Sequence, residues 1–284
     1  MKHVIITAAN GKVGDFVVNH WYLSLRSNVN LTSVDVVVFD YGLTAKQKKK
    51  LKDNGVKVIA GGKKYHIVNK RFIDAGKYLQ KHKYDQVLFV DSSDVIFQSD
   101  LTEVFGVHKD CFRVVTLGDN VLFVKALVYD QFKPESKKKI WSVIKNKPII
   151  NAGVIFAPRK KFIELCDDVG KMIRDKDQFG PDQVVVNYHI YQSKVRFIDT
   201  KYNFTMNSAY SGFKIVNGIF YKYDGEKIVI VHNCGQSDMF RPIKNFGYGK
   251  GFNQIKPVMY FLKRLMYFCF EFYHRKSFVK NTTK

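Results

Sequence analysis

The sequence predicts a doubly wound α/β domain, and three observations carry that expectation. Short apolar runs rich in Val, Ile and Phe recur along the first two thirds of the chain, as strands buried on both faces of a parallel sheet require. Segments of helical periodicity with recognisable ends separate them. At 284 residues, 46% hydrophobic and 25% charged, the chain can bury one large domain, or one domain with a tail, and wholesale disorder is excluded.

The first run, Val4–Thr7, leads through a loop with Gly and Asn into a helical stretch around Phe16–Leu25. Val34–Asp40 is the second strand and ends in Asp40-Tyr41-Gly42. Thr44 then caps a Lys-rich helix, Ala45–Asn54, which stops at Gly55. Val56–Ala60 is a third strand, a helix runs through Phe72–Lys81, and Tyr84–Asp91 is the fourth strand. Beyond it the pattern is less regular. Arg113–Gly118 and the run 121–129 read as strands or a buried helix beside the sheet, and Pro134–Trp141 as the start of a solvated basic helix. Ile149–Ala157, Lys194–Asp199 and Lys227–His232 are further strands. Between the first two lie helical segments at 158–175 and 181–192, the second with Pro181 in its first turn. No internal repeat or low-complexity linker interrupts the order, and ligands are expected at the carboxyl ends of the strands.

Charge narrows the partner. Lys and Arg number 47 against 25 Asp and Glu, a formal net charge of +22, which points to an anionic partner such as nucleic acid, an acidic membrane face or a phosphorylated ligand. Cys111, Cys166, Cys234 and Cys269 form no CxxC pair, so neither a zinc cluster nor a disulfide framework is indicated and a reduced, cytoplasmic compartment is expected. The first residues turn polar at Asn10, too early for a signal peptide, and no apolar run reaches the roughly 18 residues of a spanning helix.

The strongest local signal is Leu88–Phe97, LFVDSSDVIF. A buried strand delivers Asp91 to the sheet edge, and Asp94 follows three residues later. Two carboxylates this close repel unless a cation lies between them or one is protonated. Hard divalent ions such as Mg²⁺ and Mn²⁺ favour such oxygen ligands. The competing reading is local: Asp94 caps a turn and Asp91 accepts backbone N–H groups. His232 ends another apolar run, IVIVH, and is either a structural histidine or a third ligand if the two strand ends converge on one edge of the parallel sheet.

The ordered series V-D-S-S-D-V-I-F, I-N-A-G-V-I-F-A, G-P-D-Q-V-V-V-N and V-I-V-H-N-C-G resembles the GT-A glycosyltransferases. The resemblance spans about Val4 to Gly235. It is nearest to the glycosyltransferase domain of procollagen lysyl hydroxylases, whose aspartate motif is D-S-x-D-V-I-F, and looser to the glycogenin-like group. The resemblance implies a mixed, mainly parallel Rossmann-like sheet flanked by helices. It further implies Mn²⁺ (or Mg²⁺) on Asp91, Asp94 and His232, bridging the diphosphate of a nucleotide-sugar, usually UDP-linked. Thr7 and Ala8 match positions that hold the base. Asp40 or Tyr41 then contacts base or ribose, Asn151, Ala152 and Gly153 line the donor sugar, and Asp182 and Gln183 approach its hydroxyls as the catalytic pair. Ser92, between the aspartates, and Gly235, in the histidine motif, complete the donor set. Arg71, Lys70 and Arg241 are candidates to neutralise the diphosphate. Rival roles stand beside these: a plain βα turn at Thr7 and Ala8, a bulge at Gly153, and a favourable helix terminus for Asp182. The glycogenin-like pattern H-x-x-G-x-x-K meets Asp238 in the lysine's place, with Arg241 or Lys244 as substitutes. The separate iron-dependent domain of lysyl hydroxylases has no counterpart in a chain of this length, so hydroxylation is not implied.

The expected domain organisation is a transferase domain over residues 1–250 and a basic amphipathic tail over 251–284. At about 100° per residue, Lys263, Arg264, Glu271, His274 and Arg275 share one sector of the tail, and Met259, Phe261, Leu262, Leu265 and Phe268 lie outside it. Such a helix suits an anionic membrane surface, with packing on the core or on a second copy as the alternative. The reading that joins these features is a glycosyltransferase peripheral to the cytoplasmic membrane face, acting on a glycan or lipid-linked acceptor. Two other classes compete. A nucleic-acid-binding protein would explain the charge, but the lysines are dispersed and no RNP, KH or helix-turn-helix signature is present, so no nucleic acid is expected. A sugar nucleotidylyltransferase would need an arginine in its phosphate loop, and Ala8–Gly14 has none.

Overall fold

A computed structural model describes residues 2–117, 131–145, 147–206, 212–235, 241–249 and 253–258, together with 261, 262, 265 and 269. The run 121–129, Gly118, Asp238 and the charged positions of the tail lie outside the described residues.

A seven-stranded sheet forms the centre, in the order β3-β2-β1-β4-β7-β6-β8. Its strands are β1 (His3–Ala9), β2 (Val34–Asp40), β3 (Lys57–Ala60), β4 (Gln86–Val90), β6 (Phe112–Val114), β7 (Val154–Pro158) and β8 (Val195–Phe197). β1 pairs in parallel with both β2 and β4, β2 with β3, and β6 with β8, whereas β7 runs antiparallel to β4 and β6. The sheet is therefore mixed and mainly parallel, as expected.

Strand alternation explains why these runs read as continuously apolar. Val4, Ile6, Val37, Phe39, Val87 and Phe89 pack into one core, with Phe72 and Leu79 of the helix Ile67–Lys81 and Phe162 and Leu165 of the helix Arg159–Met172. The alternate residues Ile5, Val36, Val38, Leu88 and Val90 pack into a second core on the opposite face, with Trp21, Leu25 and Leu51. Both faces are covered, so polar alternation would be costly anywhere along these strands. Local chemistry sets the helix ends. Thr44 and Gln47 form a reciprocal capping box at the start of Ala45–Asp53. Gly180, at φ 104°, takes the left-handed turn that lets Pro181 open the helix Pro181–Tyr191.

Two expectations shift. The run ending at His232 does not join the central sheet. β12 (Ile230–His232) sits between β5 (Val95–Phe97) and β9 (Phe204–Thr205) in a separate three-stranded sheet, antiparallel to β5 and parallel to β9. The strand read from Ile149 begins only at Val154, because residues 150–153 are held as a loop by side chains. The packed unit also continues past residue 250. β13 (Ile243–Lys244) pairs with β14 (Gln254–Ile255), and Asn253 bonds the backbone of Gly247 and Gly218. Beyond it the backbone at Pro257, Val258, Phe261, Leu262, Leu265 and Cys269 is helical. Among the described residues no helix is long and apolar enough to cross a membrane.

Candidate active site

Two ladder registers assemble the site. β4 ends at Val90, and its antiparallel pairing with β7 places Gly153 opposite Asp91, whose N–H bonds the Gly153 carbonyl at 2.8 Å. The turn Asp91-Ser92-Ser93-Asp94 then leads into β5. β5 pairs with β12 so that His232 lies across from Val95, and the Asn233 N–H bonds the Asp94 carbonyl at 2.8 Å. Two ties brace the turn from behind: Ser92 Oγ donates to the Ala8 carbonyl at 2.6 Å, and the Trp21 indole donates to the Asp91 carbonyl at 3.0 Å. Trp21 ends a π turn, Val17–Trp21, inside the first helical segment, an irregularity that recurs at functional sites.

One ligand atom from each of Asp91, Asp94 and His232 falls within 4.8 Å of the others. His232 Nε2 stands 3.7 Å from Asp91 Oδ2 and 3.6 Å from Asp94 Oδ1, is buried, and has no hydrogen-bond partner. A buried unpaired ring nitrogen facing two carboxylates is costly without a ligand. Two oxygens and one imidazole nitrogen suit Mn²⁺ or Mg²⁺ better than a thiophilic metal. Gly153 leaves the room: a Cβ there would lie 2.5 Å from His232 Cε1 and 2.7 Å from Asp91 Oδ2. The residues fit a divalent cation.

Charge around the pair is arranged in two clamps. Arg71 meets Asp91 directly and reaches Asp182 Oδ2 at 3.7 Å, its guanidinium lying 5.1 Å from the Phe89 ring centroid. Arg241 meets Asp94 at 3.4 Å and Ser93 at 3.3 Å. Burial pushes both carboxyls up. At Asp91 burial is outweighed only by the sum of the surrounding positive charges, Arg71 first, and the Arg71 hydrogen bond, and the pKa falls; at Asp94 burial and the Asp91 charge prevail and the pKa rises. Asp182, 5% exposed, is pushed by burial from 3.8 to about 6, against the pull of Arg71.

The other expected residues are placed as follows. Gln183 spends both ends of its amide on the loop, accepting from the Ala152 N–H and donating to the Ile150 carbonyl; Asn187 holds the same loop. The Asn151 side chain turns inward to the Gly153 N–H. Thr7 Oγ1 donates to the Val90 carbonyl, and Asp40 accepts the Gly42 and Leu43 N–H groups while pairing with Lys48. Tyr41 donates to Asp74, and Lys70 lies over its ring. Gly235 is half-buried just past His232. Of the two substitutes for the missing lysine, Arg241 faces the site, and Lys244 is exposed on β13. Sequence reasoning missed Trp21, Asp74 and Asn203, because none belongs to a spaced motif, and gave no role to Asn187, which ends the run G-P-D-Q-V-V-V-N.

A family model described as glycosyl transferase family 8 matches residues 75–237, more than half of the chain and all three convergent ligands. The chain belongs to glycosyl transferase family 8. It is a glycosyltransferase, which sets aside the nucleotidylyltransferase and nucleic-acid readings as its activity. Solved structures share the fold. An active-site mutant of LgtC aligns with TM-score 0.57 and 18% identity over 84% of this chain and 89% of that one. The bifunctional WbbM gives 0.55 and 15%, over 84% of this chain and 47% of that one. GlyE of Streptococcus pneumoniae TIGR4 gives 0.53 and 15%, over 99% and 64%. Among curated protein sequences nothing matches the chain.

Two outcomes follow for this family 8 enzyme. Gly153→Ala drives a methyl group into His232 and Asp91, so Mn²⁺ affinity falls about tenfold or more, read by EPR of free Mn²⁺. Unchanged affinity in a folded variant would show that the cation does not sit there. The raised pKa of Asp182 means that the folded protein holds this proton more tightly than the unfolded chain. The resulting stability is whole below about pH 4 and is lost as pH rises through about 6. In EDTA, Asp182→Asn therefore gains about 1–3 kcal/mol over wild type between pH 4 and 7, measured as the difference between urea-unfolding curves.

Proposed function

We propose that the enzyme is a metal-dependent transferase that moves a sugar from a nucleotide donor, UDP-linked, to a glycan or lipid-linked acceptor. The observation that carries the reading is the convergence of Asp91, Asp94 and the unpaired His232 Nε2 on one point at the sheet edge. Support for the ligand classes comes from the structure of the galactosyltransferase LgtC, described as a complex with donor and acceptor sugar analogs, which aligns with TM-score 0.54 and 17% identity. The further likeness to the glycosyltransferase domain of procollagen lysyl hydroxylases rests on the run Asp91–Phe97 alone.

Asp91, Asp94 and His232 would hold Mn²⁺ (or Mg²⁺), which when bound neutralises the charge that develops on the departing diphosphate. The chain supplies the rest. Arg71 and Arg241 bring two permanent charges to the same edge, where they would neutralise the donor's phosphates. Thr7, Ala8, Asp40 and Tyr41 lie at the ends of β1 and β2, the position expected for base and ribose. Asn151, Ala152 and Gly153 form the sugar wall, with Gln183 holding that loop. Asp182, linked to Asp91 through Arg71, is assigned to the sugar as the catalytic carboxylate. Ser92 and Gly235 complete the donor pocket.

The proposed division is a transferase domain over residues 1–250 and a tail over 251–284; the start of the tail, through β14, still packs on the domain, and the residues from Pro257 onward rest on the cytoplasmic membrane face. Support for the tail is the exposure of Val258, Phe261, Leu262 and Leu265, at 69, 65, 42 and 46%, spaced as one helical stripe. Sedimentation with phosphatidylserine vesicles but not with phosphatidylcholine vesicles supports it, and no binding to either overturns it.

UDP release from UDP-sugars in Mn²⁺ tests the chemistry. Asp94→Ala is expected to lose about 100-fold or more of the turnover. Equal turnover in both proteins, above a no-enzyme control, would remove the metal role. Thermal shifts with UDP-, GDP- and CDP-sugars identify the nucleotide, since the bound donor raises apparent stability.

A further inference from the structure

We infer that Asn203 is a positioning residue that fixes the tautomer of His232, through an amide relay that begins at the backbone of Gly153. The inference rests on the metal reading for its consequence, but the relay itself is set by hydrogen-bond logic. The Gly153 N–H can only donate, and it donates to Asn151 Oδ1 at 2.8 Å. That oxygen can only accept, so the group of Asn203 that meets it at 3.1 Å is the NH₂ of Nδ2. The amide of Asn203 thereby points its oxygen the other way, at His232 Nδ1, 3.0 Å distant. An acceptor there requires Nδ1 to carry the proton. In the neutral ring, the form that binds a metal, His232 Nε2 is then left with a bare lone pair, unpartnered, 3.6 and 3.7 Å from the nearest Asp94 and Asp91 oxygens.

The usual ambiguity of amide and imidazole assignment is absent, because the relay starts from a backbone donor. Both of its last members are sealed: Asn203 and His232 are each 1% exposed, so water cannot substitute for the lost contact or offer the ring a second partner. The fold keeps them together. Asn203 directly precedes β9, whose parallel pairing with β12 places Thr205 beside His232. The relay also joins the proposed sugar wall to the ligand set, since Asn151 belongs to one and His232 to the other. Ring partners of this kind orient imidazole ligands and raise their basicity, and their loss costs about 10–100-fold in metal affinity.

The test compares three proteins with Mn²⁺ alone as the probe. Asn203→Leu removes the acceptor, and its Mn²⁺ affinity, read by EPR of the free ion, falls about 10–100-fold. Asn203→Asp keeps an oxygen toward His232 Nδ1 but sets its second oxygen against the Asn151 oxygen that can only accept, so it binds Mn²⁺ more tightly than Asn203→Leu and less tightly than wild type. Circular dichroism in EDTA checks that both fold. A folded Asn203→Leu that binds Mn²⁺ as wild type does overturns the inference. ¹⁵N spectra of histidine-labelled wild-type protein in EDTA, taken at a pH where the ring is neutral, supply the arm that needs no variant: His232 is expected as the Nδ1–H tautomer, and a ring with a bare Nδ1 and Nε2–H overturns the relay. If wild type binds no Mn²⁺ while the spectrum shows Nδ1–H, the metal reading fails and the relay stands.

Discussion

Two carboxylates held side by side in a buried turn are the constraint around which the molecule is organised. Asp91 and Asp94 cannot both ionise there without compensation, and the opposite directions of their pKa shifts express that conflict. The surroundings answer with positive charge from two sides: Arg71 on Asp91, and Arg241 on Asp94. Neither arginine is packed as a purely structural partner would be. Arg71 divides itself between Asp91 and Asp182, and Arg241 holds Asp94 at 3.4 Å with its Nε buried and unpaired. Such incomplete pairing suits groups that exchange one anion for another.

Precision at the turn comes from registers and not from the turn itself. β4 against β7 sets Gly153, β5 against β12 sets His232, and β9 against β12 sets Asn203. A slip of one residue in any of these ladders would point the wrong side chain at the carboxylates. The side chains that lock the loop, Gln183 and Asn187, come from a single helix whose start is fixed by Gly180 and Pro181. Small backbone features far apart in sequence therefore decide the ligand geometry.

The sequence made the central sheet legible because its strands are buried on both faces. Val34–Asp40 is found where its unbroken apolar run places it, and Thr44 caps the helix that its position announces. The second sheet was not legible. Ile230–His232 is as apolar as a central strand, and periodicity carries no information about which neighbour a buried strand chooses. Asp91, Asp94 and His232 could be proposed together because motif order survives in the chain, and the ladders then bring them into reach. Asn203, Trp21 and Asn187 could not. Each acts through hydrogen bonds to residues distant in sequence, and a single Asn or Trp leaves no periodic trace.

One further positive charge lies along the same edge, away from the carboxylates. Lys70 is 5% exposed, and its ammonium has no hydrogen-bond partner. Its nearest described compensation is the Tyr41 ring, 5.4 Å from Nζ to centroid, and the Tyr41 hydroxyl is already committed to Asp74. A cation–π contact offsets only part of the desolvation of a buried ammonium. Nothing in the packing of a folded domain requires this arrangement, since Lys could leave its head group in water as most lysines do. Lys70 therefore leaves the carboxyl edge of β2 and β3 with a buried cation open to the compensation of an anion. A nucleoside diphosphate has the charge to provide it, so the same edge that weakens the isolated fold is the one that a donor would strengthen on binding.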